Sequence, residues 1–159
     1  YEMLRSLVGS EMCIRDRTQG MSGYMIKLIL PFPDTKETYK TVVKAEIELK
    51  PLVWPFPDIA LPSSLYVYST NTYNEVGNIV YNSTNNPIVG KYVVDSENID
   101  NNRYIFDITD YYQNLVNTAP ITGKEPQFLL TLPDMTNSFE RVIIKEKPIL
   151  RVYYASYKD

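Results

Sequence analysis

Residues 103–117 carry the pattern that most constrains the fold of this chain, because an alternating strand runs there directly into a short amphipathic helix. Their sequence is RYIFDITDYYQNLVN. Tyr104 and Phe106 fall on one face of the strand, and Asp110 with Gln113 three residues later predicts a capping box at the helix start. The apolar positions of the helical part form one stripe: Ile108, Tyr112, Leu115 and Val116. A single helix among strands predicts an architecture and does not by itself indicate an activity.

Two further segments show the alternation of a strand that has one buried and one solvated face. In residues 41–50 the apolar positions are Val43, Ala45, Ile47 and Leu49, and charged side chains alternate with them. In residues 65–70 Leu65 and Val67 lie opposite Tyr66 and Tyr68.

Many short strands, proline-rich and asparagine-rich connections and one short helix near residues 109–117 together predict the fold class. We expect an all-β fold, an antiparallel jelly-roll-like β-sandwich of about eight or nine strands, with a closed barrel as the structural alternative. Residues 148–154, PILRVYY, would form an aggregation-prone edge if they were unpaired. We therefore expect this last strand to pair with an early one such as residues 41–50.

The composition excludes several classes of protein. The 159 residues suffice for one domain with a buried core, and no histidine is among them. A Ser-His-Asp relay, a histidine general base and the common zinc sites are therefore excluded. A net charge of −3 gives no basic field for nucleic acid, and no segment is long and apolar enough to span a membrane. Cys13 is the only cysteine, so we expect no disulfide framework.

Glu46 and Glu48 are the candidates for a catalytic pair, since a glycosidase needs two carboxylates that face each other across a cleft. They lie instead on one face of a single strand and alternate along the chain with Lys44 and Lys50, which is typical of a solvated face. We predict no catalytic residues and expect that the chain is not an enzyme.

Residues 1–17 differ from the rest of the chain, because they mix charged and small apolar residues without a clean period. Within them, LRSLVGSEMCIRDR resembles the translated read-through of a sequencing adaptor. The resemblance implies a non-native or disordered segment at residues 1–17, a single β-sandwich domain at residues 18–159, and a targeting signal missing from the fragment. A native N-terminal helix is the alternative.

The aromatic side chains are the first candidates for a ligand-binding surface, since the chain has 14 tyrosines and one tryptophan. Trp54 lies in the proline-rich residues 51–62, where it either covers the core or forms an exposed platform. The other candidates lie on the alternating strand and in the asparagine-rich loop that follows it: Tyr66, Tyr68, Tyr73 and Tyr81. Exposed rings of this kind stack on sugar rings while nearby Asn and Asp side chains bind the hydroxyls, whereas buried rings only pack.

An acidic, amide-rich loop that precedes residue 103 is the candidate for a metal site. Its carboxylates, together with the one that ends the following strand, are Asp95, Glu97, Asp100 and Asp107. Calcium binds several converging oxygen ligands of this kind, but the fixed spacing of an EF-hand loop is missing, and a solvated turn is the alternative. Asp107 also stands at the head of the helix, where backbone N–H groups stabilise a carboxylate without any ligand. We expect no other cofactor.

The order of these segments resembles a known family. It runs from GYMIKLILPFP through KAEIELK, LYVYST and YIFDITDYYQNLVN to FLLTLP and KPILRVYYA. This order is similar to the C-terminal β-sandwich domain of an uncharacterised family of bacterial cell-surface lipoproteins, and more loosely to DNRLRE-type sandwiches related to carbohydrate-binding modules. The matching positions are Phe106, Asp107, Ile108 and Thr109 where the strand meets the helix, and Pro148, Leu150, Val152 and Tyr154 in the closing strand.

The resemblance implies an exported protein at the outer face of a Gram-negative cell, on the extracellular side of the outer membrane, with no established activity. We expect a non-catalytic cell-surface or structural domain of a lipoprotein, and a carbohydrate-binding module that uses exposed aromatic side chains is the alternative. The expected partner is a cell-envelope protein or a glycan, and we expect neither nucleic acid nor a transmembrane segment.

Overall fold

The structure, a computed structural model, describes residues 2–6, 17–31, 41–53, 61–122 and 125–155, and for residues 2–6 and 119–122 it describes the backbone alone. These residues form eleven strands and one α-helix. The strands are β1 Glu2–Ser6, β2 Arg17–Gln19, β3 Ile26–Ile29, β4 Thr41–Leu49, β5 Ser64–Thr70, β6 Val76–Ile79, β7 Val89–Val93, β8 Arg103–Asp107, β9 Gln127–Thr131, β10 Arg141–Ile143 and β11 Ile149–Ala155. The helix is α1, Thr109–Thr122, which follows β8 directly and extends beyond the predicted residues 109–117.

Nine of the eleven strands belong to one sheet whose order is β1-β11-β4-β8-β7-β5-β9-β3, with β6 beside β5. The other two, β10 and β2, form a small ribbon, and all the described strand pairs are antiparallel. The all-β, antiparallel, sandwich-like fold with one short helix is therefore confirmed. The pairing of β11 with β4 is confirmed as well, since it joins Leu150 to Ile47 and Val152 to Ala45.

One hydrophobic core takes side chains from strands at opposite positions in the sheet order. Ile26 of β3 and Leu150 of β11 are both fully buried in it. The sheet must curl for its two distant parts to enclose the same core, as in a sandwich. The stripe of α1 closes this core, since all four of its predicted members are buried: Ile108, Tyr112, Leu115 and Val116.

The predicted inner face of β4 is correct at Ala45, Ile47 and Leu49, which are buried, and wrong at Val43, which is 61% exposed. The register between β4 and β11 shifts between Tyr153 and Tyr154, so Val43 is left without an opposite residue. This β-bulge turns Val43 outward and Val42 inward, because one extra residue reverses the alternation.

The predicted capping box at Asp110 is wrong. The helix begins at Thr109, and the Asp107 carboxylate accepts hydrogen bonds from the Thr109 N–H at 3.0 Å and from its hydroxyl at 2.6 Å. Asp107 can cap in this way because β8 ends at it and leads straight into the helix. Gln113 is turned to β4, where its Oε1 accepts from the Val42 N–H at 2.7 Å.

Part of the segment predicted to be non-native or disordered has a defined backbone: Glu2–Ser6 is β1 and pairs with β11. Arg17, the last residue of that segment, begins β2. The domain boundary at residue 18 stays a prediction. Within the described ranges, no helix has the length and apolar character needed to cross a membrane.

Candidate ligand-binding groove

The four aromatic candidates that the structure describes lie on β5, in the turn after it and just after β6. Tyr66 and Tyr68 lie partly buried on the outer face of β5, as predicted, and Leu65 and Val67 are buried on its inner face. Two others are more open, Tyr73 at 83% exposure in the turn after β5 and Tyr81 at 48% exposure after β6. Trp54 lies outside the described residues.

Tyr81 lines a cleft that is formed by described residues. We call this cleft the β6–β9 groove, an opening of about 450 Å³ between the end of β5, β6, the first turn of α1 and the start of β9. Its apolar walls are Ile79, Val80, Pro126 and Phe128. Its polar lining residues are Ser69, Thr70, Asn78, Tyr81, Tyr111 and Gln127.

The β5–β6 hairpin fixes one wall of the groove. Asn71 closes its turn by accepting hydrogen bonds from the N–H groups of Tyr73 and Glu75, at 2.9 and 3.2 Å. Ser69 then ties β6 to β5, because its hydroxyl donates to the Asn78 carbonyl and accepts from the Asn78 N–H, each at 3.1 Å. The backbone of Asn78 is thus held, while its carboxamide makes no hydrogen bond to any residue that the structure describes.

Tyr111 and Gln127 form the opposite wall. The Tyr111 ring packs edge-on against Phe128 at 5.3 Å, which fixes its position, and burial raises the pKa of its hydroxyl. The Oε1 atom of Gln127 is buried and has no hydrogen-bond partner among the described residues. A carboxamide of this kind has unused hydrogen-bonding capacity beside the groove.

A second cleft, of about 520 Å³, lies at the start of α1, and its charged groups are engaged within the protein. Asp107 caps the helix, and Asp110 accepts a hydrogen bond from the Ser83 hydroxyl at 2.5 Å. Lys44 is 2.8 Å from Glu46, and this hydrogen-bonded ion pair raises the pKa of Lys44. We interpret this cleft as the joint between the helix and the sheet.

Three of the four candidate metal ligands, Asp95, Asp100 and Asp107, have separate structural partners. The Asp95 carboxylate accepts from the Asn101 side chain at 2.7 Å and from the N–H groups of Glu97 and Asn98, and these bonds lower the pKa of Asp95. Asp100 pairs with Lys145 at 2.8 Å, which lowers the pKa of Asp100. Among the described residues, no three His, Cys, Asp or Glu side chains are grouped so that they could hold a metal ion.

The two carboxylates considered for catalysis also have basic partners. Glu48 lies between Arg151 at 3.2 Å and Arg103 at 3.8 Å, and Glu46 pairs with Lys44. This arrangement crosslinks the outer faces of β11, β4 and β8, as expected of a charged, partly solvated face.

Tyr81 was the one lining residue among the sequence-based candidates, and the polar residues Asn78, Tyr111 and Gln127 were missed. The sequence did contain a signal for Tyr111. It is an aromatic residue next to the apolar stripe of α1, and a ring at that position lies at the edge of the buried face of the helix. Asn78 and Gln127 carried no such signal, because their place depends on β5, which pairs with both of their strands.

The fold and the groove define the class of this chain: an all-β, sandwich-like domain with a groove of ligand size at one end of its helix. A comparison with protein-family models found none that matches the chain, and a comparison with curated protein sequences found no similar one.

Proposed function

We propose that this chain is a non-catalytic carbohydrate-binding domain and that the β6–β9 groove is its binding site. One observation carries the proposal: the groove combines the partly exposed ring of Tyr81 with the carboxamides of Asn78 and Gln127, which have no hydrogen-bond partner among the described residues. Asn82, in contrast, uses its Oδ1 to close its own turn, accepting from the N–H groups of Thr84 and Asn86.

The chemistry of a sugar ring fits these groups. A pyranose has an apolar face that packs on an aromatic ring and a rim of hydroxyls that donate and accept hydrogen bonds. Tyr81 supplies the aromatic ring, and a carboxamide supplies both a donor and an acceptor. The volume of about 450 Å³ lies within the range of about 300–1,000 Å³ that is usual for small-molecule sites.

The proposed location is the outer surface of a bacterial cell, as a domain of an exported lipoprotein. It rests on the resemblance of the segment order and of the FDIT and PILRVYY sequences described above. A domain that binds a glycan without cleaving it would serve there to attach its parent protein to a polysaccharide.

A structural role for the same surface domain is the second candidate, in which the domain contacts an envelope protein. In this role the ion pairs of Glu48 with Arg151 and Arg103 would hold the outer face of β11, β4 and β8 rigid. In this case the sheet edges and loops would make the contacts and the groove would bind nothing.

The two candidates are separated by a glycan array probed with the folded 159-residue chain, once with calcium and once with a chelator. We expect binding to one class of glycan, and no release of sugar products when the bound glycan is incubated with the protein. A cooperative thermal melt shows that the protein used is folded. If such protein binds no glycan in either buffer, carbohydrate binding is rejected and the structural role is favoured.

A further inference from the structure

Among the residues that the structure describes, none of those that line the β6–β9 groove is charged. Its polar groups are hydroxyls and carboxamides, which donate hydrogen bonds to neutral ligand groups and accept hydrogen bonds from them. Two carboxylates are adjacent in sequence to lining residues. Glu125 precedes Pro126 and is exposed, and Asp110 precedes Tyr111 and accepts a hydrogen bond from the Ser83 hydroxyl. The described lining of the groove therefore offers a ligand hydrogen bonds and apolar contact, and no ion pair.

This lining discriminates between two classes of glycan. A uronate, sulfate or phosphate group would lose part of its hydration in the groove without gaining a Lys or Arg partner from the described lining residues, which is unfavourable. The net charge of −3 adds a weak repulsion for anions over the whole surface. A neutral sugar suffers neither effect.

We propose that the β6–β9 groove is selective for neutral glycans, with Tyr81 as the stacking residue and Asn78 as a hydroxyl-binding residue. This inference rests on the proposed carbohydrate-binding function and specifies its ligand class. Tyr81 is suited to the role because it is 48% exposed, so one part of its ring remains open to a ligand. The Asn78 side chain is exposed on a strand whose backbone Ser69 holds in place.

Tyr73 provides a matched control. It is a tyrosine of the same hairpin, it is 83% exposed, and it does not line the groove. If exposed tyrosines bind glycans nonspecifically, Tyr73→Ala should therefore reduce this binding at least as much as Tyr81→Ala.

The test uses the 159-residue chain on an array that carries neutral oligosaccharides together with uronate-containing and sulfated ones, followed by calorimetric titration of the best neutral hit. We expect neutral glycans to bind and acidic ones to fail. Tyr81→Ala should weaken the affinity about tenfold or more, as for an aromatic anchor at the centre of a site. Asn78→Ala should weaken it severalfold, and Tyr73→Ala should leave it unchanged.

The outcomes separate the inference from the function on which it rests. Binding of acidic glycans alone, or binding that survives Tyr81→Ala and Asn78→Ala, would overturn the inference and leave carbohydrate binding intact. Absence of binding by the folded wild-type chain would overturn both. Because Tyr81 and Asn78 are exposed, we expect their variants to fold, and thermal melts verify this. If Tyr81→Ala does not fold, Tyr81→Leu removes the aromatic face while keeping an apolar side chain.

Discussion

Short polar side chains hold the turns of this molecule through local hydrogen bonds. Asn71, Asn82, Asp95 and Asp134 each accept two or more hydrogen bonds from groups a few residues further along the chain. Such bonds stabilise tight turns that lack a regular partner strand. The abundance of asparagine in these loops is thus explained mainly by structure, and Asn78 differs because its carboxamide has no such partner among the described residues.

Gly90 of β7 is a position where the core tolerates no side chain. A Cβ atom built there would overlap the ring of Phe106, which is 1% exposed and cannot move away easily. We predict that Gly90→Ala lowers the free energy of unfolding by about 1–3 kcal/mol, the usual cost of overpacking. Urea unfolding measures it, and Phe106→Leu supplies the control.

The double variant Gly90→Ala/Phe106→Leu should be more stable than the sum of the two single effects predicts, because the smaller side chain makes room for the added methyl group. Strict additivity of the two single effects would contradict the overlap as the cause.

The hydroxyl of Tyr104 makes the free energy of unfolding depend on pH in the alkaline range. Its side chain is fully buried and donates a hydrogen bond to the Pro62 carbonyl at 2.6 Å, and burial raises the pKa of Tyr104 far above its usual value. A tyrosine in the unfolded chain ionises near pH 10, so the stabilisation is complete below about pH 10 and is lost as the pH rises further. We therefore predict that the free energy of unfolding decreases between about pH 10 and pH 12.

Tyr104→Phe tests this assignment, because phenylalanine has no proton to lose. At neutral pH the variant should be less stable by about 1–2 kcal/mol, since the Pro62 carbonyl loses its partner. Above pH 10 its stability should fall less steeply than that of the wild type. Urea unfolding at pH 8 and pH 11 compares the two, and Tyr73→Phe, at an exposed site, is the control. Equal pH slopes for Tyr104→Phe and the wild type would contradict the assignment.

At the scale of elements, α1 provides hydrogen-bond partners for the part of β4 that β8 does not pair with. The pairing of β4 with β8 covers only the second half of β4, from Glu46 onward. Before that point the helix supplies acceptors for β4, Thr109 Oγ1 for the Ala45 N–H at 3.0 Å and Gln113 Oε1 for the Val42 N–H. The Ile108 N–H donates to the Ala45 carbonyl at 2.9 Å. The helix therefore stabilises the bulged part of β4, which β8 does not pair with.

We predict that Thr109→Val and Gln113→Met each lower the free energy of unfolding by about 1–2 kcal/mol, because each leaves a backbone N–H of β4 without its acceptor. The substitutions nearly preserve side-chain size, so packing changes little. Asn114→Ala, at an exposed position of the same helix, is the matched control and should have no destabilising effect. Urea unfolding measures all three, and variants as stable as the wild type would contradict the role of α1 in holding β4.

The elements that could be predicted from sequence are those governed by local periodicity. The faces of β5 and the stripe of α1 are correct because burial follows a period of two or of 3.6 within one segment. Val43 was assigned wrongly because the bulge arises from its pairing with β11, which lies about a hundred residues away. The groove was missed for the same reason, since Asn78, Tyr111 and Gln127 come from three elements that only the folded sheet brings together.

At the scale of the whole molecule, β11 lies between β4 and β1, next to the edge strand of the large sheet. Seven residue pairs join β11 to β4 and five join it to β1. Three side chains of β11 lie in the hydrophobic core: Leu150, Val152 and Tyr154. The pairing of β11 with β1 involves the segment that resembles a sequencing adaptor, and without β1 one edge of β11 would be open.

We predict that a shortened chain of residues 17–159 keeps its fold, because β11 retains its seven pairs with β4 and its side chains in the core. Its exposed edge should pair with a second molecule, since an open, regular strand is a template for strand addition. Sedimentation velocity over a range of protein concentrations should then show a dimer that the 159-residue chain does not form, while circular dichroism remains unchanged. A shortened chain that is monomeric at every concentration would contradict the open edge. A shortened chain that fails to fold would show instead that β1 belongs to the domain, and it would place the domain boundary before residue 18.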